Sequence, residues 1–318
     1  MIMTVTAVIV TYSDRFHLIN QVLDSCLGSG VKNVIVVDND SNENSKRQLE
    51  HYSKMKSARI NVIWNSSNLG SAKAYKQGLE KAQELNSEFI WLLDDDNKPR
   101  KDSLNKLVEY WKIKPDDVIT LLSFRPDRPQ YKKAVQENNS DLVLSLKNSF
   151  SGFHLKEKIL NIFKSKRIND VKFGQVAYAP YGGMFFEKSI IDEIGYPNED
   201  YFLYSDDHDW SYRITKMKKK IYLILESVID DIDTSWALKD EKRTVFNRIK
   251  NAPSFRVYYT IRNRMLFEKK HLISNSSVYR FNRFIFTFIL SVYSYKTINY
   301  KVFLRAMRDA DNNNLEKF

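Results

Sequence analysis

A succession of short apolar runs, each closing on polar or acidic residues, constrains this chain more than any other feature. Thr4 to Val10 (TVTAVIV) is β-branched, of strand length, and has almost nothing to turn toward water. That pattern suits a strand buried on both faces of a parallel sheet. Phe16 to Leu27 follows with Phe16, Ile19, Leu23 and Leu27 at helical spacing, and Gly28 and Gly30 supply a stop. Val34 to Val37 predicts a second buried strand, Gln48 to Met55 a helix, and Ile60 to Trp64 a strand. Gly70 to Leu85 then reads as helix and Phe89 to Leu93 as another hydrophobic strand. Alternation at this spacing predicts an α/β unit with right-handed crossovers.

Ligands of such sheets bind beyond the carboxyl ends of the strands. The polar residues of interest lie there: Thr11 and Tyr12, Asp38 and Asp40, Asn65 and Asn68, and Asp94 to Asp96. The first turn has neither the glycine fingerprint of dinucleotide binding nor a P-loop, which excludes a conventional NAD or ATP module. Further on, Lys101 to Trp111 predicts a helix and Val118 to Ser123 a strand. Residues 125 to 172 are polar and read as loops and short elements, candidates for a cover over the site. Tyr178 to Phe186 (YAPYGGMFF) carries a Gly-Gly pair suited to close backbone approach. Ser189 to Ile194 and Asp206 to Thr215 read as helices, and Ile221 to Leu225 as a strand before the acidic Asp230-Asp231-Ile232-Asp233.

Charge divides the 318 residues unevenly. The formal net charge is +11, and from Asp240 to Phe318 there are 16 basic residues against 6 acidic ones, a net +10. This last quarter reads as mostly helical. It contains FIFTFILSV, nine uncharged residues, well short of the roughly 20 needed to span a bilayer. Basic and aromatic flanks suit a helix lying at a membrane interface; a buried helix packed on the rest of the protein is the alternative. A single cysteine, Cys26, excludes an internal disulfide framework and a cysteine-rich zinc site. With no basic leader before the first strand, the chain is read as cytoplasmic.

Three adjacent carboxylates at the end of a buried strand repel one another unless a cation or arginines compensate. Alternate side chains of an extended segment share a side, so Asp94 and Asp96 can face one way with Asp95 turned elsewhere. Hard oxygen ligands suit Mg²⁺ or Mn²⁺ holding a diphosphate. A solvated acidic loop or a helix cap is the other reading, although a cap needs one Asp. Asp38 and Asp40 can accept hydrogen bonds from a base or ribose, or form an ordinary Asx turn. Asn68-Leu69-Gly70-Ser71 opens a helix on which Lys73 and Lys76 can meet a phosphate. In Tyr204 to Arg213 (YSDDHDWSYR), capping and the helix dipole account for an Asp pair at the helix start. They do not account for a third carboxylate with His, Trp and Arg in one turn. Asp207, Trp210 and Arg213 at spacings of three and six can place a general base beside an aromatic wall for a sugar.

These residues together resemble the inverting family-two glycosyltransferases with the GT-A fold, over roughly Thr4 to Asp233. The matching segments are Val10-Thr11-Tyr12, the Asp38 segment, Asn68-Leu69-Gly70-Ser71-Ala72, the D-x-D pattern of Asp94 to Asp96, Gly182-Gly183, and Asp206 to Arg213. The resemblance implies a Rossmann-like mixed central sheet flanked by helices, with a mostly helical C-terminal extension. The corresponding division is a catalytic domain over 1–240 and a basic, aromatic region over 241–318 that meets a membrane surface or a second copy. Thr11, Tyr12, Asp38, Asp40, Asn68, Gly70, Lys73 and Asp95 fall to the nucleotide-sugar donor. Asp94 and Asp96 fall to Mn²⁺ or Mg²⁺, and Asp233 stands in for a His that relatives place downstream. Asp207, with Asp206 second, is the base. Gly182, Gly183, Trp210 and Arg213 fall to the acceptor.

Within the family, the triple Asp, the Asp-Asp-x-Asp-Trp segment and the R-x-Y-Y-x-x-R-N stretch from Arg256 to Asn263 are most similar to galactofuranosyltransferases using UDP-galactofuranose. A dTDP-rhamnose or another UDP-hexose donor is the alternative. The implied acceptor is a saccharide or a lipid-diphosphate-linked saccharide, at the cytoplasmic face of a bacterial plasma membrane. Two other classes fit less well. A nucleotidyltransferase usually opens with a glycine-rich basic loop, which Thr11-Tyr12-Ser13-Asp14 is not. A nucleic-acid-binding protein would use the basic tail, but the acidic strand ends would repel a polyanion.

Overall fold

A computed structural model describes residues 3–56, 59–156, 169–233 and 244–318. The first unit, residues 3–143, 169–199 and 207–233, is built on a mixed sheet of nine strands. In chain order these are β1 (Val5–Ser13), β2 (Asn33–Ser41), β3 (Ile60–Asn65), β4 (Phe89–Asp94) and β5 (Asn97–Pro99), then β6 (Val118–Phe124), β7 (Phe173–Val176), β8 (Met184–Glu187) and β9 (Lys220–Asp231). The spatial order is β3-β2-β1-β4-β8-β6-β9-β5, with β7 also paired to β9. β1, β2, β3 and β4 run parallel, as the continuous apolar runs predict, so their carboxyl ends share one edge.

Side-chain alternation sends the two faces of this sheet to different helices. Ala7, Ile9, Val34 and Val36 meet Ile19, Leu23 and Cys26 of α1 (Phe16–Gly28), Leu49 of α2 (Glu43–Met55) and Leu107 of α4 (Ser103–Ile113). The other face packs on α3 (Ser71–Glu84), where Gly78 lies so close that a Cβ would overlap Val8 and press on Val37. Tight seating of α3 holds its first turn at the sheet edge.

Two sequence expectations are refined. The stretch after Arg125 contains a helix, α5 (Pro129–Gln136), with Pro at its start. β9 continues through Asp231, and Asn97, Lys98 and Pro99 of β5 pair antiparallel with Asp231, Asp230 and Ile229. Asp230 and Asp231 of the acidic segment expected after that strand are thus part of it. Two further helices complete the unit, α6 (Ile190–Ile194) and α7 (Asp206–Lys216), whose first residue is assigned to the second unit.

The second unit, residues 144–156, 200–206 and 244–318, is helical: α8 (Val245–Asn251), α9 (Ser254–His271), α10 (Ser276–Ser294) and α11 (Ile298–Asp311). Its core gathers Phe150, Tyr258, Ile261, Met265, Phe286, Leu290 and Phe303. The division expected after residue 240 falls outside the described residues.

Candidate active site

Strand register assembles the rim. Thr11 lies opposite Asp38, Val10 opposite Asp94, and Asn39 opposite Asn65. Asp38 is fully buried; its Oδ1 accepts from the Ser41 N–H at 3.0 Å, and its Oδ2 has no hydrogen-bond partner. Asp40 is exposed, in a left-handed conformation (φ 73°), with Lys46 at 3.7 Å. Asn68 Oδ1 accepts from the Gly70 N–H at 2.9 Å and from Asn39 Nδ2 at 3.1 Å, shaping the turn into α3. Gly70 caps that helix at φ 85°, a conformation that favours glycine. Lys73 pairs with Glu199 at 3.3 Å, beside Lys76 at 2.6 Å.

The acidic turn is organised by two arginines that the sequence motifs do not include. Arg15, at the N-cap of α1, reaches Asp95 at 2.8 Å, Asp96 at 2.8 Å and Asp233 at 2.6 Å, and its guanidinium lies over the exposed Tyr12 ring at 5.2 Å. Thr11 donates its hydroxyl to Asp95 at 2.8 Å. Arg125, buried, reaches Asp231 at 2.7 Å, Asn97 at 3.1 Å and Asp94 at 3.4 Å. Asp94 also accepts from the Tyr75 hydroxyl at 2.8 Å.

The expected split of the triplet is therefore corrected. Asp95 and Asp96 share Arg15, while Asp94 turns to Tyr75 and Arg125. Asp95 is buried against Thr11 and Arg15 and supports the turn from beneath. Asp233, expected as a third metal ligand, ion-pairs with Arg15. Both corrections have one cause: carboxylates brought this close find an internal cation. The compensation is incomplete. Burial, then Asp94, Asp95 and Asp231 beside it, push Asp96 up to about 8, and burial pushes Asp95 to about 6 against the pull of Arg15.

Among the described residues, no group of three or more acidic, His or Cys side chains is arranged to hold a metal ion. Asp96 is the carboxylate that would meet Mg²⁺ or Mn²⁺, with the remaining positions left to diphosphate oxygens and water, as such ions commonly bind; here its Oδ2 pairs with Arg15 and its Oδ1 accepts from Asn97 Nδ2 at 2.7 Å. Gly182 guards this corner. A Cβ there would overlap Asn97 Oδ1 and come within 2.7 Å of Asp94 Oδ2. Gly183, at φ 101°, donates its N–H to Leu92 O at 2.8 Å. Contact with the acidic turn thus accounts for Gly182, and the left-handed backbone, packed against Ser123 and Ile229, for Gly183.

The segment before it connects α7 to the rim. Tyr181 stacks on Tyr75 at 3.9 Å and lies 6.0 Å from Trp210, and Ser211 accepts the Ala179 N–H at 3.0 Å. Asp207 is partly exposed, its Oδ1 accepting the His208 N–H at 2.8 Å. Asp206 is buried. Trp210 offers no wall to a sugar: it is fully buried, edge-on to Phe186, and donates to Gly195 O at 2.7 Å. Arg213 likewise serves the fold, donating to Ile194 O at 2.7 Å and Tyr196 O at 2.9 Å while pairing with Asp209 at 3.2 Å. Its helical spacing is real, but that face meets the core.

In the helical unit, the Arg-Asn end of the R-x-Y-Y-x-x-R-N stretch has a defined duty. Asn263 donates to the carbonyls of Tyr201, Leu203 and Tyr204 at 2.7, 2.6 and 3.1 Å, and Arg262 donates to Tyr201 O at 3.3 Å. The loop they hold has Phe202, Tyr204 and Ser205 at positive φ, which needs such fixing.

Comparison with known proteins agrees with this architecture. The family described as glycosyl transferase family 2 matches residues 6–195. A dTDP-rhamnosyl transferase RfbF of Shigella flexneri is 24% identical over 270 residues, 83% of this chain and 80% of that protein. A putative teichuronic acid biosynthesis glycosyltransferase, TuaG of Bacillus subtilis (strain 168), is 35% identical over 77 residues, 24% of this chain and 29% of that one. Among solved structures, a mannosyltransferase from Pyrobaculum calidifontis in complex with GDP-Man and Mn²⁺ superposes with a TM-score of 0.55 at 15% identity, over 97% of this chain and 75% of that one. GalNAc-T7 with UDP, GalNAc and Mn²⁺ gives 0.56 at 15% identity, over 98% and 58%. These neighbours share the GT-A fold, and the chain belongs to glycosyl transferase family 2.

Proposed function

We propose that this glycosyltransferase moves a sugar from a pyrimidine nucleoside diphosphate to a hydroxyl of a saccharide acceptor, inverting the anomeric carbon. Asp38 carries the donor reading. Its buried, unpartnered Oδ2 at the rim costs stability until a donor reaches it, and the imide N–H of uracil or thymine is such a donor. Because the relative aligned over most of both chains is a dTDP-rhamnosyl transferase, dTDP-rhamnose leads. The Asp94 to Asp96 and Asp206 to Trp210 motifs keep UDP-galactofuranose as the second reading, reversing the order they favoured alone.

Asp207 accepts the proton of the attacking hydroxyl, and Asp96 faces the diphosphate side. A bound Mn²⁺ or Mg²⁺ would supply charge neutralisation for the departing diphosphate. Arg15 and Arg125 keep the carboxylates in place before the donor arrives. The acceptor is lipid-linked and the reaction serves a surface glycan at the cytoplasmic face of the membrane. A donor panel of dTDP-rhamnose, UDP-galactofuranose, UDP-glucose and GDP-mannose, read by nucleoside diphosphate release with and without Mn²⁺, tests this reading. Turnover of one pyrimidine donor, with Asp38→Ala raising its KM, is expected. Turnover of GDP-mannose alone would overturn it.

A further inference from the structure

Helix α10 is apolar on both sides. Its buried side is Tyr279, Asn282, Phe286, Leu290 and Ser294, recurring every three or four residues toward the core of the helical unit. On the opposite side Phe281, Phe284, Phe288, Val292 and Tyr295 recur at the same spacing, Tyr295 in the turn that ends the helix. They are 52%, 65%, 60%, 69% and 59% exposed, where a surface helix of a globular protein would carry polar residues. Ile298, 67% exposed, follows at the start of α11. Other exposed large apolar residues, such as Met55, Ile113 and Phe173, are scattered over separate elements. A continuous stripe of this kind marks an interaction surface.

Charge decides what covers it. α10 carries Arg280 and Arg283 and no acidic residue, and Lys296, Lys301, Arg305 and Arg308 are exposed beyond its end. Residues 244–318 hold 14 basic and 4 acidic residues. Of those four, the buried Glu268 and Asp309 pair with Arg264 and Arg305, and Asp311 with Lys269 and Arg283, which leaves a large basic excess. A second copy would bring a surface of the same sign against this one, which opposes pairing. An anionic bilayer complements both features, since its headgroups meet the basic residues and its acyl region receives the phenylalanines. No helix among the described residues is long and apolar enough to cross a membrane, which fits an in-plane orientation.

We propose that the α10 stripe Phe281-Phe284-Phe288-Val292-Tyr295 docks on an anionic lipid bilayer, with the basic residues of α10 and α11 around it. This deepens the lipid-linked acceptor reading by naming the surface, and its test reads no turnover, so either can fail alone. The full chain is sedimented with vesicles of phosphatidylcholine alone or with phosphatidylglycerol, at low and high salt. Expected is salt-sensitive binding to the phosphatidylglycerol vesicles, reduced at least about 10-fold in the Phe284→Ser/Phe288→Ser variant. Two serines at exposed positions leave the melting temperature within a few degrees, and analytical ultracentrifugation checks the variant's size. Equal vesicle binding by the parent and variant proteins would overturn the proposal. So would a concentration-dependent dimer that the variant abolishes without any vesicle binding by the parent.

Discussion

At the strand ends of the first unit, Asp94, Asp95, Asp96, Asp231 and Asp233 surround two guanidinium groups, those of Arg15 and Arg125. In the helical unit the buried carboxylate of Glu268 meets Arg264 at 2.8 Å, the Ser151 N–H at 3.1 Å and the Tyr279 hydroxyl at 3.3 Å. The second arrangement is closed, because one carboxylate has donors enough for its oxygens. The first is left with excess negative charge, and burial makes that excess costly. The difference teaches where each unit's chemistry lies. The sheet unit keeps an electrostatic deficit that a cationic or proton-donating ligand can relieve, whereas the helical unit supplies its buried carboxylate with internal donors.

The comparison can be broken most severely at the proposed base. Asp207→Asn is expected to lower kcat by about 10²- to 10⁴-fold with little change in melting temperature, read by nucleoside diphosphate release. Retention of full turnover would move the base elsewhere, with Asp206 next in line. Removing Arg15 attacks the balance directly. Arg15→Ala leaves Asp95, Asp96 and Asp233 without their shared partner and is expected to cost roughly 3–5 kcal/mol in denaturant unfolding. Mn²⁺ should recover part of that loss, since a cation can then enter between the carboxylates.

A smaller effect sharpens the sign of the deficit. The folded state holds a proton on Asp96 up to about pH 8 and on Asp95 up to about 6, whereas an unfolded Asp releases its proton near 3.8. Between these values the folded state binds more protons, so stability falls as pH rises from about 4 to 8. The melting temperature of metal-free protein should decline across that window, and Asp96→Asn should flatten the decline. A profile that rises instead would mean the arginines over-compensate the cluster. The smallest expected effect belongs to the helical unit. Phe284→Ser, at a 65% exposed position, should change stability by less than about 0.5 kcal/mol in the absence of lipid.

Much of the sheet was legible because β-branched runs buried on both faces have no other stable use. The rim was legible for the same reason, since polar residues directly after such runs must sit at the strands' carboxyl ends. The internal cations were harder to read. A triple Asp calls for counter-charge, yet which arginine provides it depends on tertiary folding: Arg15 lies just past the Val10-Thr11-Tyr12 end, and Arg125 at the end of β6. Asp231 was hidden by its setting, an acidic run expected after the strand, whereas it pairs with Asn97 across β5 and β9. For Trp210 and Arg213, spacing correctly gave one helical face without telling whether that face meets ligand or core. Pro129 was a usable signal for α5, since proline favours the first turn of a helix.

The most direct test is nucleotide binding itself, by thermal shift of the full chain with UDP, dTDP and GDP, each with and without Mn²⁺. A ligand that binds the folded state raises the melting temperature by mass action. Stabilisation by UDP or dTDP that needs Mn²⁺, and that disappears in both Asp96→Ala and Asp38→Ala, is the predicted result. Stabilisation by GDP alone, or an undiminished shift in Asp96→Ala, would contradict a pyrimidine-diphosphate site at these strand ends.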